Sequence, residues 1–141
     1  MKDFLSLAKT RCSIRRYKDE AVEEEKIQRL VEAGRVAPSA CNLQPWRFLV
    51  LDNKESMGKL GKACKTFRAP LAIVVLGDNN ECWVRPVDAS DSLDIDTSIA
   101  ASHIVLEAEE LDLSSCWVCN FNPSVLRSEF KIPGHISPVH V

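Results

Sequence analysis

The stretch Ala37-Pro38-Ser39-Ala40-Cys41-Asn42-Leu43-Gln44-Pro45-Trp46-Arg47-Phe48 reads as a passage from helix to strand. Pro38 disfavours helical geometry in the residue before it, so a helix arriving here must stop. Between Pro38 and Pro45 stand Ser39, Asn42 and Gln44, and an apolar run opens beyond Arg47. Amide side chains present both donors and acceptors, which suits reading the edge of a heterocycle. The same residue types also make ordinary helix-to-strand turns, so this loop alone specifies no function.

Working outward, the spacing of Ile27, Leu30, Val31 and Gly34 predicts a helix over 22–36. The run Glu23, Glu24 and Glu25 reads as its solvated, dipole-positive start. A shorter helix is expected over 3–10, with Phe4, Leu7 and Ala8 on one face. Downstream, 47–51 reads as a strand closed by Asp52-Asn53. A helix over 54–67 follows, weakened by Gly58 and Gly61. The unbroken apolar run 71–76 predicts a strand covered on both faces, and 77–92 reads as a loop. Asp96 is a good N-cap for a helix reaching 111. In that helix Ile99, Ala100, Ala101, Ile104, Val105, Leu106 and Ala108 spread apolar character around most of the circumference, the pattern of a core or subunit-interface helix. A strand over 115–119, a short helix capped by Asn122 with Pro123 at its first position, and the start of a strand at 138–141 complete the chain. This alternation predicts a layered α/β or α+β domain.

The 141 residues fit one domain, with 45% hydrophobic and 27% charged residues. No repeat or low-complexity linker divides them. The formal net charge of −2 gives no reason to expect nucleic acid binding. No run is long enough to span a membrane, and Met1-Lys2-Asp3-Phe4 lacks a secretory h-region, so the expected location is cytoplasmic. The six cysteines are then expected as free thiols. The five glycines permit neither G-x-G-x-x-G nor a Walker A loop.

A second feature is Arg11-Cys12-Ser13-Ile14-Arg15-Arg16. If extended, it projects Arg11, Ser13 and Arg15 to one side, a plausible grip for phosphate or carboxylate. By itself it could equally be a solvated basic face. In combination, R-x-S-I-R, an intervening helix and A-P-S-A-x-N-x-Q-P-W-R-F resemble the FMN-dependent nitroreductase family. The segment Cys116-Trp117-Val118-Cys119-Asn120-Phe121-Asn122-Pro123 matches as well, where that family tends to have a C-W-x-x-G-F-D-P-like stretch. The resemblance covers nearly the whole chain.

The resemblance implies an α+β fold of three layers, α/β/α, with a mixed, mainly antiparallel sheet flanked by helices. It implies a single FMN-binding domain over 1–141 and a homodimer with FMN at the subunit interface. It further implies a ping-pong cycle in which NADH or NADPH reduces the flavin and a small aromatic acceptor, nitroaromatic or quinone-like, reoxidises it. By position, Arg11, Ser13 and Arg15 would bind the FMN phosphate, ribityl chain and flavin O2/N1 side. Pro38, Ser39, Asn42 and Gln44 would reach the same flavin from the partner subunit, and the backbone around Val118, Cys119 and Asn120 would approach it near N5. Hydride arriving at N5 leaves negative charge over N1 and O2, which a guanidinium such as Arg15 stabilises. No protein nucleophile or base is required, and no catalytic triad is seen.

The sequence departs from the family pattern at Asp112, Ser114 and Asn120, where glycines are common. Family members usually carry a late Lys/Arg pair toward the FMN phosphate, which the residues up to Val141 lack. The alternative expectation is therefore an FMN-binding module with weak or no turnover. No metal site is expected. Cys116-x-x-Cys119, in a strand, points its thiols to opposite faces and reads as buried structural thiols rather than a redox or metal pair. His103 reads as a satisfied core or interface histidine, and His135 and His140 form no ligand pattern. Trp46, Trp83 and Trp117 read as packing residues, Trp83 being free enough to sit over a substrate pocket.

Overall fold

In the computed structural model, which describes residues 3–141, the apolar run becomes the middle strand of a sheet. Met1 and Lys2, the first two residues of the stretch read for a leader, lie outside the described residues. The chain runs α1 (Phe4–Thr10), α2 (Glu24–Arg35), a 3₁₀ turn (Ala40–Asn42), β1 (Trp46–Leu51) and α3 (Lys54–Leu60). It continues through β2 (Ala72–Asp78), α4 (Leu93–Glu110), α5 (Pro123–Phe130) and β3 (Ile136–His140). The strands pair antiparallel in the order β1-β2-β3, with Trp46 opposite Gly77, Leu51 opposite Ala72 and His140 opposite Val75.

Successive β2 side chains point to opposite faces, and both faces are covered. Val74 and Leu76 join Leu51, Leu60, Leu126 and Ile136 beneath α3 and α5. Val75 joins Leu30, Ala101, Ile104 and Ala108 beneath α2 and α4. Val74, Val75 and Leu76 are only 0%, 3% and 8% exposed, as an unbroken apolar strand requires. The result is the expected three-layer α+β arrangement. Gly34 permits a close approach in it: a Cβ there would lie 2.7 Å from Phe48 Cζ and 3.0 Å from Ile104.

Several local expectations hold. Asn122 Oδ1 accepts from the Ser124 and Val125 N–H groups at 3.0 and 3.2 Å, with Pro123 in the first turn of α5. Ile27, Leu30 and Gly34 form the buried face of α2. Other expectations need correction. The helix expected over 54–67 ends at Leu60, with Gly61 as its C-cap, and Phe67 and Arg68 then take positive φ. Residues 115–119 form no regular strand. They are extended but held only by a parallel Ser13–Ser115 bridge and a Val118–Val141 pair of backbone bonds of 2.7 and 3.2 Å. Asp96 is not the N-cap of α4: the helix begins at Leu93, and Ser92 holds the cap position. None of the residues of α1 is buried, and Phe4 and Leu5 are 72% and 59% exposed.

Candidate functional site

The loop between α2 and β1 is tightly built. Ser39 Oγ accepts from the Gln44 N–H at 2.9 Å, and Gln44 Nε2 donates to Asn42 Oδ1 at 2.8 Å. Cys41, Asn42 and Gln44 all take positive φ, between 51° and 54°. Asn accommodates this region most readily; Cys and Gln adopt it at a cost that the surrounding bonds must offset. Pro38, Asn42 and Gln44 remain exposed, and Ser39 is half-buried. Among the described residues the Asn42 amide NH₂ and the Gln44 Oε1 form no hydrogen bond, so both a donor and an acceptor are available. The loop is moored at both ends. The Asp78 N–H donates to the Pro45 carbonyl at 2.7 Å, and the Ala40 N–H donates to Asp96 Oδ1 at 3.0 Å.

Sequence reasoning missed these moorings. Asp96, 2% exposed, also accepts from Ser92 Oγ at 2.7 Å. Asp78, 6% exposed, accepts from Asn80 N–H at 3.0 Å and from the Arg47 guanidinium at 3.4 Å, while Arg47 reaches Glu81 at 2.6 Å. The available signal was a carboxylate placed within otherwise apolar surroundings, which demands hydrogen-bond partners.

The basic segment forms no helix and carries one bridge, between Ser13 and Ser115. The Ile14 N–H donates to the Ser115 carbonyl at 2.9 Å, the bond of that isolated bridge. Ser13 and Arg15 are exposed and Arg11 is half-buried, while Ile14 is also half-buried. The Arg15 guanidinium carbon lies 5.9 Å from the centroid of the Phe67 ring. Among the described residues, neither Arg11 nor Arg15 forms an ion pair. Two uncompensated guanidiniums flanking a hydroxyl are suited to an anionic group such as a phosphate. Val118 has its N–H committed to Val141, which leaves Cys119 and Asn120, both exposed, as the accessible part of that segment.

The two halves are anchored to different parts of the chain. The loop is tied to the first turn of α4 through Asp96, whereas the Leu113 N–H bonds to Ala108 in the last turn, two residues before Ser115. Asp96 and Ala108 alone are about 18 Å apart along the helix axis.

A cavity of about 570 Å³ lies away from the loop; it includes Tyr17, Leu71, Trp117, Val118 and His140 in its walls. The Trp117 and His140 rings meet edge to face at 4.7 Å, and His140 Nε2 is 2.9 Å from Ser98 Oγ. Burial lowers the His140 pKa, with Asp94 opposing. His103 is satisfied, its Nδ1 3.2 Å from the Ala33 carbonyl. All six cysteines are free; Cys119 is exposed and Cys116 half-buried, so the pair is not the buried one expected. Trp46 is buried in the core, and Trp83 and Trp117 are half-buried. Among the described residues no cluster of His, Cys, Asp or Glu could hold a metal, and no helix is long and apolar enough to cross a membrane.

Comparison with known proteins bears on both halves. A model of the nitroreductase family matches residues 8–68 and 58–141. A Methanothermobacter thermautotrophicus protein, provisionally named NADH dehydrogenase/NAD(P)H nitroreductase, is 33% identical over 99% of this chain and 74% of its own length. A nitroreductase family protein of Clostridium difficile 630 superposes with a TM-score of 0.97 at 45% identity, over 99% of this chain and 81% of that one. An FMN-dependent nitroreductase of Clostridium difficile R20291 superposes at 0.80 with 36% identity, over 97% and 83% of the two chains.

Proposed function

The chain belongs to the nitroreductase family of oxidoreductases, and we propose that it works as an FMN-dependent homodimer passing reducing equivalents from NADH or NADPH to nitroaromatic or quinone-like acceptors. In this reading residues 1–141 make one FMN-binding domain. The observation that carries it is the pair Arg11 and Arg15, which flank the residue bridged to Ser115 and form no ion pair among the described residues. That donor set fits a ligand with a phosphate at one end and an electron-accepting ring at the other. FMN, when bound, supplies the hydride chemistry between nicotinamide and acceptor.

The protein's part is to bind, orient and polarise. Arg11 and Ser13 would hold the phosphate and ribityl chain, with Arg15 toward the O2/N1 side of the ring. There the Arg15 guanidinium would favour the more negative, reduced form of the ligand. Pro38, Ser39, Asn42 and Gln44 of the second subunit would frame the ring from the other side. The positive φ values of Cys41, Asn42 and Gln44 would keep that edge pre-shaped, so little ordering is left for binding. Cys119 and Asn120 would bring backbone close to the ring, Val118 being committed to Val141. A flat, open ring face between the two subunits would admit donor and acceptor in turn, as a ping-pong cycle requires.

The test is direct. Purified protein should carry or take up FMN, run as a dimer, lose its yellow colour with NADH or NADPH without oxygen, and regain it on adding a quinone. A colourless protein that takes up no FMN would sink the proposal, and bound flavin that neither nicotinamide reduces would reduce it to a binding module.

A further inference from the structure

Asp96 is a carboxylate set 2% exposed in a helix whose other buried residues are Leu93, Thr97, Ala100, Ala101, Ile104 and Ala108. Burying a carboxylate is costly unless its oxygens are bonded. Both are, and in different directions. Oδ2 accepts from Ser92 Oγ at 2.7 Å, within the helix start; Oδ1 accepts from the Ala40 N–H at 3.0 Å, 56 residues away in the α2–β1 loop. Helix formation needs neither bond, because the helix starts at Leu93 and the Asp96 N–H already donates to the Ser92 carbonyl. What Asp96 adds is a charge-assisted tie to the loop, stronger than a neutral hydrogen bond would be. The tie falls within the 3₁₀ turn Ala40–Asn42, where positive φ begins at Cys41. Ser39, half-buried, precedes that turn, and Asn42, exposed, ends it.

We infer that Asp96 is a positioning residue for the ligand-binding loop: by anchoring the Ala40 N–H it holds Ser39 and Asn42 in their binding geometry. This rests on the proposed FMN site. Pro45 is tied separately by Asp78, so loss of the Asp96 bond frees the middle of the loop without detaching β1. Ser92 offers an internal control, since it bonds the other oxygen of the same carboxylate and does not touch the loop.

The test uses the dimer stripped of flavin, with two readouts: FMN affinity by quenching of flavin fluorescence, and hydrogen exchange of the Ala40 amide by NMR. Asp96→Ala should weaken FMN binding about tenfold or more, as expected for loss of a hydrogen bond to a charged group, and speed Ala40 exchange. Asp96→Asn keeps a neutral acceptor and should fall between wild type and Asp96→Ala in both readouts. Ser92→Ala should leave both near wild type. Wild-type behaviour of Asp96→Ala in both readouts overturns the inference, as does Ser92→Ala matching Asp96→Ala. If Asp96→Ala does not fold, Asp96→Asn decides, and its identity with wild type in both readouts overturns the inference. A wild-type apoprotein that binds no FMN refutes the proposed function instead, and Ala40 exchange still decides the role of Asp96.

Discussion

Tyr17 is the chain's one tyrosine, which makes its titration readable without interference. Its O–H donates to the Ile14 carbonyl at 2.6 Å, and burial, helped by Cys116 and opposed by Arg15, pushes its pKa from 10.0 to about 12. Because the folded value lies above the unfolded one, the stability this group contributes is complete below pH 10 and lost as pH climbs toward 12. At pH 10 the phenolate absorbance should be small in the native protein and half-developed in urea; equal absorbance in both would refute the shift. Arg15 lies in the same neighbourhood and makes a second prediction. Arg15→Ala should lower the potential of bound flavin and weaken its binding, whereas Arg15→Lys, keeping charge but not the planar fork, should recover part of both. An unchanged potential would remove Arg15 from the O2/N1 side.

At the scale of the element, the join between β2 and α4 is unusually close. A Cβ on Gly77 would lie 2.6 Å from Leu93 Cγ and Cδ1, so Gly77→Ala must displace the first residue of α4. Overpacking of this kind should cost about 1–3 kcal/mol in urea unfolding. The penalty should not add to that of Leu93→Ala, which removes the clashing atoms; full additivity in the double variant would show that the contact is not the cause. The end of β3 carries a pH-dependent element. His140 is held below its usual 6.5 mainly by burial, so the unfolded chain takes up a proton first as pH falls. The His140 contribution is intact above pH 6.5 and declines below it toward the lower folded pKa. The melting temperature should therefore drop on acidification through this range, with a shallower slope in His140→Gln; an unaltered slope would assign the effect elsewhere.

For the whole molecule, the decisive feature is that the loop half is tied to the first turn of α4, whereas the arginine half bonds to Ser115, beyond the end of that helix. If FMN bridges two chains, each site takes Arg15 from one and Asn42 from the other. Mixing Arg15→Ala and Asn42→Ala subunits then creates heterodimers with one intact and one doubly altered site. Random mixing should restore roughly a quarter of wild-type sites, a recovery a site within one chain cannot produce. Flavin titration of the mixture gives the count, and no recovery would argue against the shared site.

Much of this was legible in the sequence because it is written over a few neighbouring residues. Asn122 and Pro123 cap α5, and the Ile27–Leu30–Gly34 spacing gives α2 its buried side. The run 71–76 supplies all but the last two residues of β2, a strand buried on both faces that starts at Ala72 and runs on through Gly77 and Asp78 of the expected loop. The two motifs that carry the family resemblance were equally visible as residue types at fixed spacing. What only the tertiary structure decided was where side chains and open backbone found distant partners. Asp96 reads locally as a helix cap, yet its oxygen takes the Ala40 N–H 56 residues away. Residues 115–119 have strand composition, yet their neighbours are the isolated Ser13 and Val141, too few for a regular ladder. A cap is settled by hydrogen bonds within one turn, whereas a buried carboxylate or an extended segment must satisfy its bonds with whatever packing brings near. The same packing tied one family motif to the first turn of α4 and the other to Ser115 beyond its end, partners that spacing along the chain does not specify.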